Sequence, residues 1–170
     1  MAKLAGLRTI CIVDVARYGE SLMEAGADLL VDRLDTGRAV DVVRGVTRGQ
    51  LRFALDTVGR DTAAKLQEAL SSDGNRSHLV GLSGLPKEKR ENILHHNVPI
   101  KAFHDVATIG ETLMVWLEKL LLAQRLVAPQ VELAVGGLDG INQALDKLRN
   151  GTVTGKRLVV PLQDHTVKVA

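Results

Sequence analysis

A chain of 170 residues is long enough for one domain whose core buries roughly 70% of the unfolded chain's surface. Its 45% apolar and 25% charged residues exclude a disordered chain, and no apolar run reaches the roughly 20 residues of a bilayer span, because Glu118 and Lys119 interrupt the longest candidate. A net charge of +2 and four aromatic side chains argue against a nucleic-acid binder, and the single Cys11 excludes an internal disulfide or a multi-cysteine zinc site.

The run Thr9–Val13 is short, β-branched and continuous, as in a strand covered on both faces. After a turn region around Tyr18 and Gly19, Leu22 and Met23 lead to Gly26, a helix stop, and Leu29–Val31 forms a second strand. Asp35 and Thr36 are cap-type residues ahead of Ala39, Val42, Val43 and Val46, which follow helical spacing. A third strand, Leu51 to Leu55, ends at Asp56, and the next helix carries Ala63, Leu66 and Leu70 inward. His78 to Leu82 reads as a fourth strand, followed by a polar Lys/Glu-rich loop. Val98 to Phe103 reads as a fifth, with Pro99 early in it, where an edge tolerates the missing N–H. The longest helix, about Val106 to Gln124, places Val106, Ile109, Leu113, Trp116, Leu117 and Leu120 on one stripe, and Pro129 forbids its continuation. Two last strands, Val131–Val135 and Arg157–Leu162, flank a helix with Ile141, Ala144, Leu145 and Leu148 on one face, ended by Asn150-Gly151. Strands alternating with helices predict a mostly parallel sheet with helices on both faces, in a single domain spanning 1–170. The opening residues lack a secretory pattern, so a soluble, cytoplasmic protein is expected.

Several segments resemble the cofactor half of the medium-chain dehydrogenase/reductase superfamily, in its branch of fungal zinc-type alcohol dehydrogenase-like proteins and trans-acting enoyl reductases. MAKLAGLRTICIVD is similar to the end of the first helix running into the second strand of that Rossmann-like fold. MEAGADLLVDR resembles the following helix–strand step, LRFALDTVG the fourth strand and its turn, and GLDGINQALDKLRNGTVTGKRLVVPL the closing segment. The resemblance implies an α/β fold of truncated Rossmann-like type, without the substrate domain, the first strand and the glycine-rich turn that holds a pyrophosphate. It therefore implies no bound nicotinamide cofactor and no metal, the family's zinc ligands lying outside the matched segments. With the central strand missing, either Thr9–Val13 closes on Leu51–Leu55 or another chain supplies the pairing, so a homodimer or domain-swapped assembly is expected. The family's counterpart of Val98–Phe103 pairs with its own copy across a dimer.

Asp14 follows the first strand where dinucleotide-binding relatives contact the adenosine ribose. Arg17 would meet a 2′-phosphate and Tyr18 an adenine, unless all three are vestigial. Asp56, Thr57 and Ser83 end parallel strands, where α/β crevices form; they serve either proton transfer and ligand orientation or turn capping. His95, His96 and His104, with Asp105 beside the last, are acid–base candidates, whereas adjacent His95 and His96 diverge too far to chelate zinc. Lys101 on its strand would meet a carbonyl or phosphate, or protect an edge; Cys11 and Trp116 suit packing. Asn75-Arg76-Ser77 is a glycosylation sequon without a secretory context.

Three functions remain open from the sequence. One is a cofactor-independent protein that binds, cyclises or isomerises a small hydrophobic, polyketide-type metabolite in an oligomeric pocket, with Asp56, Ser83 and His104 as catalytic candidates. The second is an NADPH-dependent reductase represented by a fragment or a misplaced start. The third is a non-catalytic interaction module that pairs through open strand edges.

Overall fold

A computed structural model of the chain describes residues 1–161 other than 36, 99 and 100. They fall into two compact units, Met1–Thr112 and Leu113–Ala170. In the first, a 3-10 turn (Ala2–Ala5) precedes β1 (Ile10–Val13), α1 (Val15–Glu24), β2 (Leu29–Asp32), α2 (Ala39–Thr47), β3 (Phe53–Asp56), α3 (Arg60–Ala69), β4 (Ser77–Gly81), β5 (Ile93–Asn97) and the short α4 (Ala102–Asp105). Helix α5 (Ala107–Leu122) begins in the first unit and ends in the second, which holds β6 (Val131–Leu133), α6 (Ile141–Arg149) and β7 (Arg157–Val159). Every described strand pair is parallel: β1 with β2, β4 between β3 and β5, and β6 with β7.

Local chemistry sets these elements. The Asp28 carboxylate accepts hydrogen bonds from the Thr9 amide at 2.7 Å and Lys3 Nζ at 2.9 Å, and the Leu29 amide donates to the Thr9 carbonyl at 3.1 Å. Together these pin Ile10 opposite Leu29 at the start of the β1–β2 ladder. Helix α1 opens on Asp14, whose Oδ1 accepts from the Arg17 amide at 3.2 Å. It closes where Gly26 takes φ of 90°, which a side chain would strain.

Two apolar clusters hold the first unit. Val31, Ala39, Val43 and Ala69 are buried together, with Ile10, Leu29, Val40 and Leu51 against them. Leu70, Leu79 and Ile93 form the second, packed with Leu51, Ala54, Leu66 and Leu85. Alternation along β3 and β4 turns Ala54 and Leu79 to this core and Phe53, Leu55, His78 and Val80 to the opposite face. That opposite face is open, with Phe53 64% and Leu55 58% exposed.

Several sequence expectations change here. The sheet is not continuous: no pairing among the described residues joins β1 to β3, so Thr9–Val13 does not close on Leu51–Leu55. Val98 and residues 101–103 are not in the fifth strand, and Pro99 and Ile100 lie outside the described residues. Ile93–Asn97 occupies that place, in register with Ser77–Gly81, while Phe103 lies in α4. Lys101 is consequently a turn residue, its carbonyl accepting from the amides of His104 and Asp105. Asp35 does not cap α2, because the chain makes one more turn and Arg38 takes that position without a side-chain bond; Thr36 lies outside the described residues. On α5 only Leu117 and Leu120 of the expected stripe are covered, while Val106, Ile109, Leu113 and Trp116 are exposed. The helix stops at Leu122, well before Pro129, with Gln124 at φ 52°. β7 ends at Val159, and Leu162 lies outside the described residues.

In the second unit, Ala134 and Ala144 are buried, and Lys147 Nζ reaches Glu132 Oε1 at 3.2 Å, tying α6 to β6. Among the described residues, no helix is long and apolar enough to cross a membrane.

Candidate functional site

The carboxyl ends of parallel strands are the places where an α/β scaffold presents chemistry. At the ends of β1 and β2 the structure gathers Asp14, Arg17, Tyr18 and Arg33. The Arg33 amide donates to the Val13 carbonyl at 2.8 Å, fixing the residue after β2 beside the end of β1. Its guanidinium lies 3.9 Å from Asp14 Oδ2 and is largely exposed. Asp14 is therefore occupied on both oxygens, by the Arg17 amide and by Arg33. Arg17, in the first turn of α1, is exposed; Tyr18 beside it is half-buried. Arg33 was not singled out in the sequence, although its place one residue after a strand is the available signal.

At the ends of β3 and β4, Asp56 and Ser83 come together. The Leu82 amide donates to the Asp56 carbonyl at 2.9 Å, and Ser83 Oγ donates to the Thr57 carbonyl at 3.4 Å. Asp56 is 3% exposed, and its Oδ1 accepts from the amides of Val58 at 2.9 Å and Gly59 at 2.7 Å. This is turn chemistry: the carboxylate satisfies two donors leading into α3. Gly81 is packed too closely for a side chain, since a Cβ there would run into the Gly84 carbonyl and stand 2.9 Å from Leu85. His104 lies exposed on α4 against Phe103, and no hydrogen bond among the described residues joins it to Asp56 or Ser83.

The histidines of β5 diverge, as strand alternation requires. His95 turns to α3, where Nε2 meets Gln67 Oε1 at 2.6 Å, and burial, then Lys89 and His96, push its pKa down. Gln67 Nε2 in turn donates to the Glu88 carbonyl at 3.0 Å. His96 turns to the open face and meets His78, which the sequence reading passed over because it placed residues 94–97 in a loop. Cys11 is half-buried on β1. Asn75 is bonded to Asp73, and Ser77 is fully buried at the start of β4. Among the described residues, no group of three His, Cys, Asp or Glu side chains could hold a metal.

Two surface carboxylates contribute to the acid response. The Lys3 ammonium and the Thr9 amide hold Asp28 below the ordinary carboxylate range, and the Arg52 guanidinium holds Asp73 far below it. A carboxylate with a depressed folded pKa contributes stability that is present above its unfolded value of 3.8 and lost as pH falls through the folded value. Urea unfolding at pH 3 and pH 6 should therefore differ less in the Asp28→Asn/Asp73→Asn double variant than in the parent. An unchanged difference would place the acid lability elsewhere.

Comparison with known proteins adds the architecture. No family model matches the chain, and no curated protein matches it. Solved structures do. A putative NADPH:quinone reductase from Bacillus thuringiensis superposes with a TM-score of 0.77 at 15% identity, over 92% of this chain and 49% of that one. The apo form of the JamJ enoyl reductase gives 0.64 at 14% identity, over 84% of this chain and 44% of that one. The chain thus spans about half the length of the structures it matches. At these identities the likeness establishes a Rossmann-like α/β fold.

Proposed function

We propose that this chain supplies the adenosine side of a dinucleotide site in an NADPH-dependent reductase of the medium-chain type. The observation that carries this reading is the pairing of Arg33 with Asp14 at the joined ends of β1 and β2. Because Asp14 is engaged by the Arg17 amide and by Arg33, it does not confront a phosphate as a free anion. Arg33 touches Asp14 through one guanidinium nitrogen at 3.9 Å and is largely exposed, so its remaining N–H groups can meet a ribose 2′-phosphate while it stays on Asp14. Arg17 adds a second cation, and Tyr18 a flat wall for adenine.

The fit ends at the ribose. The sequence contains no G-x-G-x-x-G, and the pyrophosphate cradle that such a turn makes has no counterpart among the described residues. NADPH, where bound, supplies a hydride; the residues of this chain would hold the adenosine phosphate and orient it. The names of the two similar reductases support the reading.

Calorimetric titration with 2′,5′-ADP and with ADP tests it. The first should bind more tightly, and Arg33→Ala should weaken it by about tenfold to a hundredfold, the loss of one charged hydrogen bond of roughly 1.5–3 kcal/mol. Equal binding of both nucleotides, or an unchanged Arg33→Ala, would overturn the assignment.

A second reading rests on the open face of β3. Exposed Phe53 and Leu55 suit a small hydrophobic metabolite held between copies of the chain, with Asp56 at the end of β3, Ser83 just past β4 and no nicotinamide required. Self-association would use the same face and the free edges of β1 and β3. Failure of 2′,5′-ADP to bind, together with a dimer that dissociates on Phe53→Asp, would favour it.

A further inference from the structure

The open face of the β3–β4–β5 sheet carries a polar pair among apolar neighbours. His78 on β4 and His96 on β5 sit diagonally across the ladder, since His78 pairs with Leu94 and Val80 with His96. His78 Nδ1 and His96 Nε2 are 2.9 Å apart. The ring centroids are 5.2 Å apart and the planes 15° from parallel, so the imidazoles meet edge to edge in nearly one plane. Phe53 packs nearly parallel to His78, with centroids 5.2 Å apart. Both histidines stand on backbone fixed by the ladder, and His96 is exposed.

We propose that His78 and His96 form a two-imidazole site for a first-row transition-metal ion, binding copper(II) most tightly. Metal–imidazole bonds of about 2.0–2.1 Å place two neighbouring ligand nitrogens about 3 Å apart, so the present spacing needs ring rotation rather than strand movement. The N–H···N bond uses one proton and one lone pair. Moving that proton to the other nitrogen of its own ring leaves both facing nitrogens with lone pairs, and no net proton is released. Phe53, Leu55, Val80 and Leu94, the other strand residues of this face, offer no oxygen donor, which disfavours magnesium and calcium. Neutral nitrogen ligands instead follow the order copper above nickel, with zinc below copper. The remaining coordination positions take water, so the ion is exchangeable and open to a further ligand. The site is independent of the dinucleotide reading, because these residues lie on the sheet face rather than at the strand ends.

Titration of the purified whole chain with copper(II), nickel(II) and zinc(II) salts, followed by calorimetry and by copper electron paramagnetic resonance, tests the site. One copper ion per chain with two-nitrogen hyperfine structure is expected. His78→Gln and His96→Gln should each lower the affinity roughly tenfold or more and remove one nitrogen coupling, while His104→Gln changes neither. Circular dichroism verifies that each variant is folded, and exposed His96 is the substitution that the fold tolerates most easily. Copper binding that survives His96→Gln with both nitrogens, or that disappears in His104→Gln, would overturn the proposal, as would no binding at all in the parent chain.

Discussion

Leu79→Ala is expected to destabilise the protein by about 2–5 kcal/mol, and Leu55→Ala by no more than about 0.5 kcal/mol. The two leucines stand on adjacent strands of one sheet but face opposite ways. Leu79 is fully buried against Leu70 and Ile93, so truncation leaves a cavity that the neighbouring strands cannot collapse into. Leu55 is 58% exposed, and most of its surface already faces water. Urea unfolding of both variants, with the shift of midpoint at constant slope, measures the difference. Similar losses at the two positions would mean that the open face is covered in solution, by another copy or by another segment.

Asp56→Ala is expected to cost about 1–3 kcal/mol, while Asp56→Asn should recover most of it. The carboxylate Oδ1 accepts from the Val58 and Gly59 amides at the entry to α3. An amide side chain keeps an acceptor oxygen in that place, whereas alanine leaves both donors without it. The conservative variant separates two roles. A capping residue is rescued by asparagine in denaturant unfolding, and a proton-transfer residue is not rescued in any activity assay. Failure of asparagine to restore stability would show that the negative charge itself is needed.

The alternation of elements was legible because each carries its own signal. Thr9–Val13 is β-branched at every position but Cys11, and Gly26 and Asn150-Gly151 mark helix ends that the structure places within a residue or two. The turn expected around Tyr18 and Gly19 is instead the middle of α1, which opens on Asp14. The fifth strand was not legible, for a physical reason. Ile93-Leu94-His95-His96-Asn97 has too few apolar residues to read as a strand, because its polar side chains are satisfied by partners distant in sequence, Gln67 on one face and His78 on the other. The more apolar Val98-Pro99-Ile100 beside it drew the assignment away. The candidate site was half legible. Asp14, Asp56 and Ser83 could be placed at strand ends from the pattern, but Arg33 required knowing that β2 lies beside β1. The exposure of Ile109, Leu113 and Trp116 could not be read at all, since helical spacing specifies a stripe and not what lies over it.

The parallel pairing of every described strand also bears on how the chain reaches this state. No two paired strands are joined by a hairpin; each ladder must wait for an intervening helix or long loop to bring its second strand alongside. Loop closure therefore precedes any reward from sheet formation. Local helical turns, which need no such closure, are expected to order before the ladders, with hydrogen bonding between strands arriving late. Until it does, each strand is an unpaired ribbon, and the time spent in that condition governs how much nascent chain is lost to association.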